Sequence, residues 1–163
     1  MRAAADPATA LIGRTSVPET RYSASELRAF AEKRSDAPRF VGVTDFADIT
    51  GERTQQLTRW RRTGRVWVPT PAILLGETER AGWEPEVAKA WRRGLTGVDR
   101  PEPVRYLSIT EMVAIWHLPR ALLWEAILVR ESIPPPAIWL TTRGTADAGW
   151  SPAENPRPSG RVS

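Results

Sequence analysis

A register shift of 66 residues lays residues 40–49 (FVGVTDFADI) over residues 106–115 (YLSITEMVAI), and the matches then keep their order along the chain. Thr44 falls on Thr110, Asp45 on Glu111, Ile49 on Ile115, Leu57 on Leu123 and Pro69 on Pro135. After a one-residue slip, Pro71, Ala72 and Ile73 fall on Pro136, Ala137 and Ile138; a second slip of two aligns AGWEP at 81–85 with AGWSP at 148–152. Both slips lie where loops absorb changes of length. An internal repeat narrows the choice of folds more than any local pattern, because related segments must fold alike and bury their apolar faces on something. Two related units joined by GVDRPEPVR are expected.

Charge is distributed as unevenly as the repeat is regular. Lysine occurs only at Lys33 and Lys89, so the cationic side is almost all arginine, the residue suited to bidentate contacts with phosphate and guanine. The formal net charge is +4, yet residues 51–65 alone carry Arg53, Arg59, Arg61, Arg62 and Arg65 against a single acid, Glu52. The positive field is therefore local. With no cysteine and His117 as the only histidine, disulfides, thiolate sites and histidine metal clusters are excluded. Nothing in the sequence resembles a phosphate loop or a nucleophile with a paired base, so no enzyme, cofactor, metal or small-molecule substrate is expected. No apolar run approaches the roughly 20 residues of a membrane span, and the first residues lack the apolar core of a secretory signal. A soluble, cytoplasmic, nucleoid-associated chain without membrane contact is expected.

Residues 1–21 mix Ala, Pro, Thr and Gly without period and read as a flexible arm, and residues 153–163 as a disordered tail. Residues 22–39 should hold a helix and a linker. Ser23 and Glu26 form a capping box, Tyr22 and Leu27 stand at the spacing of a hydrophobic staple, and Leu27, Phe30 and Ala31 give a helix over 25–34 its apolar face. The linker between the repeats is placed at 96–105 and the second unit at 106–152.

In the first unit, residues 40–95, Thr44 is a suitable N-cap and Asp45 complements the dipole of a first helix. Phe46 and Ile49 form its buried side, and Gly51 breaks it. A second helix is expected over 53–63, ended by Gly64. On a 3.6-residue wheel Leu57 and Trp60 fall on one side, while Gln55, Arg59 and Arg62 line up on the other with Gln56 beside them. Glutamine pairs bidentately with adenine, and arginine with guanine or phosphate, so this outer stripe can address a major groove. The segment RVWVPTPAILLGETERAGW predicts a hairpin. A closing helix follows, begun by Pro85, ended by Gly94, with Val87, Ala90 and Trp91 facing inward.

The stretch VTDFADITGERTQQLTRWRRTGR, followed by a hairpin and EPEVAKAW, resembles the compact winged helix-turn-helix of MerR-type regulators, AlpA-type regulators and phage excisionases. The resemblance covers about residues 40–95 and rests on pattern and order. It implies sequence-specific binding of double-stranded DNA, as a repressor-like transcriptional regulator or an excisionase-like factor. The recognition positions carry over onto Arg53, Thr54, Gln55, Gln56, Arg59 and Arg62; Arg61 and Arg65 add charge, and a wing near Thr78 to Arg80 would bring Arg80 to the backbone. The hairpin segment is longer and richer in proline than that pattern. The fold class expected is mainly α with small β wings, built as tandem winged helix-turn-helix units of which the second is truncated.

The second unit differs in kind. Where the first has Gln55, Gln56, Arg59 and Arg62 it has Ala121, Leu122, Glu125 and Leu128, so it should read little DNA. No closing helix follows Trp150, and ALLWEAILV is apolar nearly all round and must be buried. Packing against the first unit, self-association and a protein partner at residues 106–152 all satisfy that requirement. The last supports an alternative function, a protein-interaction adaptor or virion-associated component. Trp116, Trp124, Trp139 and Trp150 are expected in a core or interface, and His117 in a turn.

Overall fold

The computed structural model describes residues 22–97 and 101–155, and within them the helices start where the sequence supplies caps. Helix α1 (Ala24–Arg34) opens with the expected capping box: Ser23 Oγ accepts from the Glu26 amide at 3.1 Å, and Glu26 Oε1 accepts from the Ser23 amide at 2.8 Å. After strand β1 (Arg39–Val41), helix α2 (Val43–Thr50) is capped by Gly42, which places Thr44 inside the helix rather than at its cap. Gly51 turns the chain into α3 (Thr54–Thr63), for which Arg53 is the N-cap residue. Strands β2 (Ile73–Leu75) and β3 (Arg80–Gly82) make a hairpin before α4 (Pro85–Ala90). The second half repeats the order with β4 (Val104–Tyr106), α5 (Ile109–Trp116), α6 (Arg120–Glu125) continued by a π turn (Ala126–Arg130), β5 (Ile138–Thr142), β6 (Thr145–Gly149) and a 3-10 turn (Pro152–Glu154). The arm at 1–21 and the tail beyond 155 fall outside the described residues.

The end of α3 is set by Gly64, whose φ of +76° lies in the left-handed region and whose added Cβ would meet nothing within 4 Å. The cost of a side chain there is thus conformational alone. Gly64→Ala is expected to destabilise the protein by about 1–2 kcal/mol, readable as a shift of the denaturant midpoint at constant m-value.

The strands pair across the repeat. In one sheet the order is β1-β5-β6, with β1 parallel to β5 and β5 antiparallel to β6; in the other it is β3-β2-β4, with β2 parallel to β4. Arg39 pairs with Trp139 and Val41 with Thr141, while Ile73 pairs with Val104 and Leu75 with Tyr106. Each hairpin thus takes its third strand from the segment that precedes a helical pair. The α1–β1 segment completes a module with residues 107–155, and α4–β4 completes one with residues 43–82.

This corrects the fold class. The described residues are mixed α/β, 44% helix and 19% strand, with two three-stranded sheets, and are neither mainly α nor a pair of winged units. The reason is local: β1 and β4 are three residues each, too short for a period-two pattern to register. Nor is the second module truncated. The helix that packs on its α6 is α1, which comes from the other end of the chain, with Leu27 and Ala31 in one cluster with Leu123, Trp124, Ile127, Trp139 and Trp150. Of the ways to bury the apolar helix, the molecule uses an intramolecular one.

Two details show how closely the halves correspond. The Trp83 indole donates to the Pro69 carbonyl at 2.8 Å and the Trp150 indole to the Pro134 carbonyl at 3.0 Å, while Trp83 bridges Val41 as Trp150 bridges Leu107. Between the sheets, Ile73 and Leu75 meet Ile138 and Leu140. A Cβ on Gly82 would lie 2.8 Å from Leu140 Cδ1, and one on Gly149 would lie 2.9 Å from Leu75 Cδ1. Equivalent glycines let the two hairpins approach.

Smaller expectations also shift. Phe46 and Ala47 face the core of the first module, but Ile49 is 40% exposed; in α4 the buried residues are Ala88 and, just past its end, Trp91, with Val87 half-buried and Ala90 exposed. The helix ends at Ala90, short of the Gly94 stop expected from the sequence. Among the described residues no single helix is long and apolar enough to cross a membrane, and the one apolar pair, α5 with α6 and its π turn, is bent by 87°.

Candidate nucleic-acid interface

Helix α3 packs on α2 with Leu57 and Trp60 beneath it, both buried. Its other side faces solvent. Gln55, Arg59 and Arg62 are exposed, Gln56 and Thr54 are half-buried beside them, and Arg53 and Arg65 are exposed at the two ends. The ridge thus has the wheel geometry expected from the sequence, and the Thr63 hydroxyl closes it by donating to the Arg59 carbonyl at 2.9 Å and accepting from the Arg65 amide at 3.3 Å.

The ridge gathers arginines without carboxylate partners in one segment. Most arginines elsewhere among the described residues meet carboxylates: Arg28 and Arg39 meet Glu32, Arg80 meets Asp147, Arg93 meets Glu52, Arg105 meets Glu79, Arg130 meets Glu125 and Arg143 meets Asp48, while Arg34, Arg92 and Arg120 are scattered exceptions. Arg53, Arg59, Arg62 and Arg65 have no carboxylate within 4.0 Å among the described residues. Glu52, the one acid in the segment, is held by Arg93 through contacts of 2.8 and 3.3 Å. That carboxylate raises the Arg93 guanidinium further above its usual range, and Arg93 also lies over the Trp60 ring at 5.1 Å. The one acid of residues 51–65 is thereby paired from the segment just past α4.

Two of the residues read from the sequence are engaged elsewhere. The Arg61 guanidinium lies over the Trp83 ring at 5.4 Å, and partial burial lowers it below its ordinary value, although the residue as a whole is exposed. Arg80 is drawn into a pair with Asp147 at 2.8 Å and donates to Thr142 Oγ1 at 3.4 Å. It lies beside a cleft of about 580 Å³ between the β2–β3 turn and α5, lined also by Glu77, Glu111 and Arg120. The turn itself is acidic, with Glu77 and Glu79 exposed. Arg80 therefore lies away from the α3 ridge, because the turn that carries it is directed onto the second module.

The helix that corresponds to α3 in the second module is closed to solvent. Leu123, Trp124 and Glu125 are buried, Ala121, Leu122 and Leu128 half-buried, and α1 lies on it. Sequence reasoning missed two cations of interest, Arg93 and Arg143. The first is legible only as a cation suited to the end of the closing helix, with no signal of its pairing with Glu52; the second stands in Thr-Arg-Gly-Thr between two β-rich runs, the form of a two-residue hairpin. No family model, no curated protein and no solved structure matches this chain.

Proposed function

We propose that this chain binds double-stranded DNA in a sequence-specific manner, with α3 in the major groove, as a repressor-like regulator or an excisionase-like factor. The observation that carries the reading is the contrast between two equivalent helices. One is buried under α1, and the other presents Gln55, Arg59 and Arg62 in a row among four arginines with no carboxylate partner among the described residues. A glycine turn joins α3 to α2, the arrangement of helix-turn-helix readers. Phosphate anchoring supplies affinity, and the glutamines with Arg59 supply base contacts. The adaptor reading rested on an apolar face at 106–152, and α1 uses that face within the chain.

The proposal is tested by fluorescence polarisation on random duplex and on fragments selected by binding, across a salt series. Affinity should fall steeply with salt, with a log–log slope near 0.9 per phosphate neutralised. Gln55→Ala should cost about 1–3 kcal/mol on the selected site and leave the salt slope unchanged, since it removes a base contact without charge. Absence of binding to any duplex at micromolar protein and low salt would remove the reading.

A further inference from the structure

The hairpin of the second module is seated on the first helix of the reading pair. Asp45, in the first turn of α2, accepts from the Arg143 amide at 2.7 Å and from the Thr141 hydroxyl at 3.2 Å, and Arg143 Nε stands 3.5 Å from Asp48 one helical turn along. Pairing of β5 with β6 runs out to Thr142 and Thr145, so the connection is two residues, Arg143 at φ +48° and Gly144 at φ +83°. Two successive positive φ values define the tight turn that matches strand twist. The Arg143 side chain is nevertheless 69% exposed.

From this juxtaposition we propose that the β5–β6 tip is a second DNA-backbone contact, with Arg143 meeting a phosphate and Thr142 and Thr145 able to donate to its neighbours. The inference rests on the duplex-binding reading of α3. Three observations favour this tip over the β2–β3 turn. The β2–β3 turn carries Glu77 and Glu79, which repel phosphate, and its Arg80 is held by Asp147 at 2.8 Å, whereas Arg143 meets Asp48 only at 3.5 Å, is the more exposed of the two, and is flanked by two hydroxyls. The tip is fixed to α2, and α2 is fixed to α3, so no hinge separates the two contacts. Helix α2 has eight residues, and a helix of that length spans roughly 12 Å, the distance over which a DNA strand presents three or four phosphates. Asp48 is the opposing charge: it holds Arg143 back in the free protein and would face the DNA with it.

The test is the salt dependence of duplex binding by the full chain, measured by polarisation on a duplex of about 25 base pairs, a little over two helical turns. Arg143→Ala should weaken binding about tenfold at low salt and reduce the slope by about one, and Arg143→Lys should restore the slope. Arg143→Gly keeps the positive φ without the cation and should behave like Arg143→Ala, which separates charge from turn geometry. Asp48→Asn should tighten binding a few-fold. An unchanged slope in both Arg143→Ala and Arg143→Gly, with Arg62→Ala still lowering it, would overturn the tip contact and leave the α3 reading standing. Failure of the unaltered protein to bind any duplex would overturn the α3 reading, and the tip contact with it.

Discussion

Trp83→Ala is expected to lower the stability of the protein by about 3–5 kcal/mol, against a total of about 5–15 kcal/mol for a typical domain. Trp83 is 1% exposed and its ring stands edge-on to Phe46 at 4.9 Å between centroids. Removing the indole opens a cavity among Phe46, Ala47, Leu57 and Ala88, and it strands the Pro69 carbonyl, which is buried with the indole as its partner at 2.8 Å. It also uncovers the face on which the Arg61 guanidinium rests. Because Trp150 fills the matching place in the second module, 0% exposed and bonded to Pro134, Trp150→Ala should cost a similar amount. Urea titration checks both. A loss under about 1 kcal/mol, the size of a surface effect, would mean that the modules are not held together as the packing indicates.

The parts legible in the sequence are those written over short distances. Ser23 with Glu26 marked the start of α1; Gly51 and Gly64 marked the ends of α2 and α3; and the spacing of Leu57 and Trp60 fixed which side of α3 turns inward. The repeat at 66 residues was legible because Phe46 with Met112, Leu57 with Leu123 and Trp83 with Trp150 do equivalent work in two cores. What was not legible was partnership. Nothing in RFV or VRY tells which hairpin they join, because a three-residue strand has almost no pattern and its pairing is decided by tertiary packing.

The same blindness covers the surroundings of Arg80. The sequence places it in a hairpin but does not tell what that hairpin meets. In the molecule each hairpin tip reaches the other module's first helix: Gly76 lies against Ser108, where an added Cβ would come within 3.2 Å of Ser108 Cβ, and Arg143 lies against Asp45. Arg80 and Asp147 occupy equivalent places in the repeat and meet each other, as residues near a pseudo-twofold axis do. Charge alone could not reveal this; it needed the topology.

The Arg59→Ala, Arg62→Ala double variant should lose about 1–3 kcal/mol of affinity for a selected site from the Arg59 base contact, roughly fivefold at the least, and more from the Arg62 phosphate contact. Its salt slope should fall by at least about one. The fold should be unaffected: both side chains are exposed and neither has a carboxylate partner among the described residues, and alanine suits a helix interior, so stability should change by under about 0.5 kcal/mol. That separation gives the experiment its force, because a drop in affinity at constant melting temperature cannot come from unfolding. The two sites are three residues apart and can share a phosphate, so the double effect is compared with both single variants. A control lies in the second module, where Arg120 and Arg130 flank the covered helix; Arg120→Ala, Arg130→Ala removes the same charge and should leave both affinity and slope nearly unchanged. Equal losses from the two double variants would mean that binding follows net charge rather than the α3 ridge, and the assignment of a reading helix would fall.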